Sequence, residues 1–292
     1  MPQTLNDILD LFVLEDAGHG TFIGPQPRDG LERVRVYGGQ VVAQAIAAAA
    51  RTVSGRRVHS LHASFLRPGN PRTPLQYDVT ALRDGRTFAT RRVSVGQGGV
   101  VIMEALVSFV IDIDGDEFQQ PMPAVPDPET LTTVEDQLSA HLTRTGAPDA
   151  DEYVSLVRFR VVEMRYVDPP PRIAVDATAP AHAECRLWFR TRSEVPDDAV
   201  LRVCLLAYVS DWTILDPVQI AIGKTWQQLE KMASLDHAMW FHRPPEFADW
   251  LLYEQHAPTV IGGTGVGRGA IYNRNGALVC TVAQEGYVGR RL

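Results

Sequence analysis

The feature that most constrains this chain is a repeat within it. His62-Ala63-Ser64-Phe65-Leu66-Arg67-Pro68 is answered by His237-Ala238-Met239-Trp240-Phe241-His242-Arg243-Pro244, at an offset of 175 residues at the first histidine and 176 at the proline, as though one residue had been inserted. A chain that repeats at this distance folds as two related units. Each copy is followed by the same succession: a polar break, an apolar strand candidate (75–82 and 250–256), a glycine-containing turn and a hairpin. The first hairpin places 87–95 and 100–109 around Gln97-Gly98-Gly99; the second places 268–272 and 277–284 around Asn275-Gly276. Asn-Gly between apolar alternations is a strong hairpin signal, expected with both central residues at positive φ. The sheet is therefore predicted to be antiparallel.

A helix is predicted upstream of each copy. In the first half Gly38-Gly39 leads into Gln40 to Ala50, apolar on nearly every side, and such a helix must be enclosed rather than laid on a surface. In the second half the expected helix opens at Asp211 and runs through Ile214, Val218, Ile220 and Ala221, with Pro217 tolerated only near its first turn. Residues 112–150, rich in Asp, Pro, Gln and Thr, read as a linker between a unit at 1–111 and another at 151–292, with a short helix near Val134 to Leu142. Two buried helices, each wrapped by a curved antiparallel sheet, make an α+β fold of the double-hotdog kind.

Composition removes several function classes. With 28 basic and 35 acidic side chains the net charge is −7, which offers no general attraction for the phosphates of nucleic acid. Cys185, Cys204 and Cys280 are odd in number and contain no Cys-x-x-Cys pair, so neither a disulfide framework nor a zinc site is implied, and a reducing cytoplasm fits. The first residues carry acid where an export signal needs base, and the longest apolar stretch, 100–111, is interrupted by Glu104 and falls far short of the ~20 residues of a membrane span. Gly-x-Ser-x-Gly, His-Glu-x-x-His and Walker sequences are missing from the chain. The cluster Gly262-Gly263-Thr264-Gly265-Val266-Gly267-Arg268-Gly269 imitates a dinucleotide loop but leads into a strand, and reads as an ordinary loop or bulge.

The runs Tyr37-Gly38-Gly39-Gln40-Val41-Val42-Ala43-Gln44-Ala45, His59-Ser60-Leu61-His62-Ala63-Ser64-Phe65-Leu66-Arg67-Pro68-Gly69, Leu206-Ala207-Tyr208-Val209-Ser210-Asp211 and Asp236 to Pro244 resemble the acyl-CoA thioesterase II family, in order, from about Leu11 onward. The resemblance implies hydrolysis of acyl-CoA by a double hotdog without metal or redox cofactor. It implies Asp211 as the acid, Ser234 as the hydroxyl and Gln284 as the glutamine. Alone, each has a plainer reading: a helix cap, a strand hydroxyl and a surface amide. Chemistry accords with the roles, since a thioester carbonyl needs an activated water and donors aimed at the developing oxyanion. The backbone N–H groups of Gly39 and Gln40, at a helix start, are the expected oxyanion donors.

Two rival readings stay open at this stage. A hotdog enoyl-CoA hydratase would depend on His59 or His62 with an acid near one helix. A non-catalytic acyl-CoA sensor would keep the pocket without turnover. The histidines His59, His62, His237 and His242 are read as structural supports, and Cys204 and Cys280 as small buried hydrophobes. Exposed sheet edges predict a homodimer or homotetramer. No nucleic-acid or membrane partner is expected.

Overall fold

Short alternating apolar segments build one large antiparallel sheet. The computed structural model describes residues 4–28, 32–145, 161–168, 170, 183–224 and 232–289. The first half supplies β1 (Glu15–Gly18), β2 (Thr21–Gly24), β3 (Arg57–Phe65), β4 (Leu75–Asp84), β5 (Phe88–Gln97) and β6 (Val100–Val110). The second supplies β7 (Val162–Tyr166), β8 (Glu184–Thr191), β9 (Ala233–Ser234), β10 (Asp236–Phe241), β11 (Leu251–Ile261), β12 (Thr264–Asn273) and β13 (Leu278–Tyr287). Their spatial order is β1-β2-β4-β5-β6-β3-β10-β13-β12-β11-β8-β7, with β9 added beside β13. The two halves join where β3 pairs with β10.

That junction corrects the alignment of the repeat. His62 faces Ala238 and Ala63 faces His237. His62 lies exposed on the outer side, edge-on to the Trp240 ring at 5.1 Å, whereas His237 is buried on the inner side. Side chains alternate faces along a strand, so a shift of one residue exchanges inside for outside. The two histidines therefore cannot be counterparts. At a constant offset of 176, Leu61, Ala63 and Phe65 correspond to His237, Met239 and Phe241, all six on the inner face. Bonding at the strand ends agrees: the N–H groups of Leu66 and Arg67 both donate to Ile102 O, and those of His242 and Arg243 both donate to Val279 O. No residue is inserted, and the shared histidine is a coincidence of sequence.

Five helices accompany the sheet: α1 (Leu5–Leu9), α2 (Gly38–Ala50), α3 (Val134–Thr145), α4 (Ala199–Ser210) and α5 (Asp216–Ala221) among the described residues. All residues of α2 from Gly39 to Ala49 are buried, and its five alanines between Ala43 and Ala49 let the backbone lie close to neighbours on every side. Of its two buried amides, Gln40 and Gln44, the deeper is fully used. Gln44 donates to Leu11 O and Pro25 O and accepts from Tyr77 Oη.

The second buried helix is not the one expected from Asp211. It is α4, whose N-cap Asp198 accepts from the Leu201 N–H at 2.8 Å, and Asp211 is its C-cap. Because Pro217 fits only a first turn, the helix that contains it begins at Asp216 and is short. The apolar run that needed enclosing was 203–209, upstream.

The α3 helix covers the segment expected to be helical near Val134 to Leu142. Before it, the chain lies against the second half of the sheet: Trp188 Nε1 donates to Pro126 O, and Gln119 bonds both Gly276 O and the Leu278 N–H. Met122, Val125 and Leu131 pack with Trp188, Trp250, Leu252 and Tyr272. The expected unit boundary at 150–151 lies outside the described residues.

In the first hairpin Gly98 and Gly99 both take positive φ. In the second only Gly276 does, so the turn is not the one expected of Asn-Gly. Its N–H donates to Asn273 O, the Asn273 side chain accepts the Ala277 N–H, and one left-handed residue closes the loop. The glycine cluster resolves into two devices. Gly262 and Gly263 form the β11–β12 turn at positive φ, and the alternate glycines of β12 leave room for the chain that follows α4.

Candidate active site

The C-terminal end of α4 meets the first turn of α2, and the site forms there. Tyr37 Oη donates to Tyr208 O at 2.7 Å, tying the residue before α2 to the last turn of α4. Asp211 enters this contact from the end of α4. Its Oδ2 accepts the Gly39 N–H at 2.7 Å, so the positive end of α2 faces the carboxylate. Its Oδ1 accepts from Gln284 Nε2 at 2.9 Å. The same nitrogen donates to Ser234 Oγ at 2.8 Å. The three residues that the sequence singled out are thus brought together.

Ser234 reaches the group through strand chemistry. It sits in β9 opposite Gly286 of β13. The link from β9 to β10 is fixed on both sides, with the Leu235 N–H donating to Glu285 O, the Glu285 N–H to Asp236 Oδ1, and the Phe65 N–H to Leu235 O. Gln284 occupies an inner position of β13 and is 1% exposed. Its neighbour across the ladder is Gly267, whose missing side chain admits the Ile214 carbonyl.

Burial pushes the Asp211 carboxyl above the ordinary aspartate value, and the nearby His237 ring, the Gln284 amide, the Gly39 N–H and the Arg35 charge only partly counter it. A raised carboxylate that stays hydrogen-bonded is a stronger base toward water than an exposed one. The cysteines are of another kind. Burial pushes the thiols of Cys204 and Cys280 upward, which removes them as nucleophiles.

Of the two backbone N–H groups expected as oxyanion donors, that of Gly39 is already taken. It is engaged by Asp211, and the Gln40 side chain donates to Pro25 O and Gln26 Oε1. Gly39 therefore holds the acid in place. Sequence reasoning also undervalued His237. Its Nδ1 bonds Gln284 Oε1, and its Nε2 lies 3.0 Å from Ser210 Oγ. The available signal was a polar side chain at an inward position of a β-strand. His59 and His62 take no part in this cluster: the His59 ring packs on Phe88, and His62 faces outward. Among the described residues no group of three His, Cys, Asp or Glu side chains is placed to hold a metal.

Comparison with known proteins bears directly on this constellation. Residues 162–287 match the family described as acyl-CoA thioesterase, and residues 26–110 match the one described as acyl-CoA thioesterase N-terminal domain. Acyl-CoA thioesterase 2 of Haemophilus influenzae is 34% identical over 99% of both chains. The chain belongs to the acyl-CoA thioesterase family. Human acyl-coenzyme A thioesterase 8 is also 34% identical, over 87% of this chain and 80% of its own length. The crystal structure of an acyl-CoA thioesterase II from Mycobacterium marinum superposes with a TM-score of 0.78 at 34% identity, covering 97% of this chain and 98% of the other. A hot dog fold protein from Alicyclobacillus acidocaldarius shares the architecture at 20% identity and a TM-score of 0.73. This thioesterase family member therefore has a hotdog fold. Among its described residues no helix is long and apolar enough to cross a membrane.

Proposed function

We propose that the chain hydrolyses fatty acyl-CoA to free CoA and a carboxylic acid, using a water activated by Asp211 and positioned by Ser234 and Gln284. The observation that carries this reading is the Gln284 amide nitrogen, whose two hydrogens go to Asp211 Oδ1 and Ser234 Oγ. One NH₂ group thus holds two acceptors side by side, and a water between them donates one hydrogen to each and turns a lone pair outward. That lone pair attacks the thioester carbonyl carbon as Asp211 takes the proton. The tetrahedral intermediate then collapses, the C–S bond breaks, and the Asp211 proton passes to the departing CoA sulfur. No covalent nucleophile is required. The oxyanion falls to the Gln40 N–H, in the first turn of α2 next to the Gly39 N–H that holds Asp211.

The wider reading is a double hotdog in which α2 and α4 are each wrapped by the strands of their own half. It comprises units at 1–111 and 151–292 joined by 112–150, and acts in the cytoplasm as a homodimer or homotetramer. Neither a hydratase nor a sensor is favoured, because the histidines a hydratase needs lie apart from Asp211 and because all three polar groups are present and bonded.

The test is thiol release from short- to long-chain acyl-CoAs by the wild-type chain, Asp211→Ala and His59→Ala. Turnover by wild type and His59→Ala, abolished in Asp211→Ala, is expected. Undiminished turnover in Asp211→Ala would overturn the mechanism.

A further inference from the structure

We infer that His237 is a positioning residue for hydrolysis, holding the Gln284 amide in the only orientation that serves both Asp211 and Ser234. The inference rests on the water-activation reading above. A glutamine amide has an oxygen and a nitrogen of nearly equal shape, so packing alone does not decide which way it faces. An ionised Asp211 accepts hydrogen bonds and donates none, which requires the Gln284 nitrogen on its side. The Gln284 oxygen must then find a donor on the other side, in an interior where the residue is 1% exposed. His237 Nδ1 meets that oxygen. Because the oxygen only accepts, Nδ1 carries the hydrogen. Ser210 Oγ stands 3.0 Å from the other ring nitrogen, and Tyr253 Oη holds the Ser210 carbonyl, so the ring is gripped at both ends. The result is a single run of bonds from α4 through His237 and Gln284 to the carboxylate at the end of the same helix.

The internal repeat isolates the role. At the offset of 176 the counterpart of His237 is Leu61, and Leu61 faces Val107 in the ladder of the first half. Both are fully buried, an apolar pair where the second half has the bonded pair His237 and Gln284. The same place in the fold thus accepts leucine without difficulty. Removing His237 leaves the buried Gln284 oxygen without its donor, and the amide turns or withdraws to recover one. Substrate contacts are untouched, so turnover falls while binding persists.

The experiment uses the full chain and decanoyl-CoA, with steady-state thiol release and thermal melting. In His237→Leu, kcat is expected to drop about 10²-fold, the loss typical of a misplaced reacting group, with KM within about twofold. In His237→Asn, whose amide nitrogen stands close to the place of Nδ1, kcat is expected to recover to within about tenfold of wild type. Wild-type kcat in His237→Leu, or equal loss in both variants, overturns the inference. Should His237→Leu not fold, His237→Asp, isosteric with His237→Asn but presenting an acceptor at neutral pH, replaces it under the same criteria. Asp211→Asn separates the two levels. An active Asp211→Asn brings down the water-activation reading itself, whereas an inactive Asp211→Asn beside a fully active His237→Leu brings down the role of His237 alone.

Discussion

The carboxylate of Asp211 accepts the backbone N–H of Gly39 at 2.7 Å, so the residue that caps the end of α4 is held by the first turn of α2. The geometry depends on two bare backbones. A Cβ at Gly38 would lie 2.9 Å from Asp211 Oδ2 and 3.2 Å from the Phe65 ring, and one at Gly39 would lie 2.6 Å from both Tyr208 O and the Tyr37 ring. Gly39→Ala meets backbone and is expected to cost about 1–3 kcal/mol of stability, the usual range for overpacking, read as a lower melting temperature. Gly38→Ala meets the reacting carboxylate. Its turnover is expected to fall more than its melting temperature does, and a Gly38→Ala protein with wild-type thiol release would contradict the placement of Asp211.

The pH dependence of hydrolysis follows from Asp211 being the base. Its carboxyl is raised above the ordinary 3.8, chiefly by burial, and it must be ionised to take a proton from water. As pH falls, kcat/KM is therefore expected to decline at a pH above that at which an exposed aspartate protonates. The Gln284 hydrogen bond pulls the value back down. Removing it in Gln284→Leu is expected to shift the residual acid limb further upward. A limb unmoved in Gln284→Leu, measured over the pH range in which the protein stays folded, would show that another group sets the profile.

Gln284→Glu is the sharper substitution. It keeps the size of the side chain but replaces an NH₂ group that serves two acceptors with a second carboxylate next to Asp211. Like charges in one buried place resist joint ionisation, and the pair retains one proton where two separate acids would have lost both. Thiol release near neutral pH is expected to fall by about 10²–10³-fold, comparable to the loss of an oriented catalytic donor. Equal rates in wild type and Gln284→Glu would remove the amide from the mechanism.

What could be read before the structure was what local pattern controls. Gly98-Gly99, the alternation of β5 and β6, and the apolar circumference of α2 each specify their own geometry within a few residues. The resemblance brought Asp211, Ser234 and Gln284 forward, although their spacing along the chain gives no reason for them to meet. The second helix was misplaced because Asp211 looks like an N-cap and Pro217 like a first-turn proline, while the true cap, Asp198, stands before a stretch enclosed only by tertiary contacts. The repeat was misaligned by one residue because matching letters favoured His62 with His237, and only strand pairing shows which side each faces. Gly39 and His237 owe their roles to Asp211 and Gln284, 172 and 47 positions away, and although an inward polar residue marks His237, no local signal names either partner.

Gly267 links the strand that flanks Gln284 to the chain that carries Asp211. It pairs with Gln284 in the β12–β13 ladder, and a Cβ there would come within 2.0 Å of the Ile214 carbonyl oxygen. Contacts that close do not occur between real atoms, and the obstacle is backbone, so the 211–216 turn has to lift off the sheet. Its neighbours are tight as well, though against side chains, since a Cβ at Gly265 would meet Val218 and one at Gly269 the Tyr253 ring, each at 2.4 Å. Lifting Ile214 moves Asp211, three residues earlier, away from the Gln284 nitrogen. Gly267→Ala is therefore expected to lower both the melting temperature and kcat, by about 1–3 kcal/mol of overpacking and about 10²-fold for a displaced base. Gly262→Ala, in the exposed β11–β12 turn with open space around it, is expected to destabilise through its positive φ yet leave kcat of the folded protein unchanged. The two glycines are compared by melting and thiol release on the same preparations. Full turnover in Gly267→Ala would show that the position of the 211–216 turn does not depend on the bare backbone of β12.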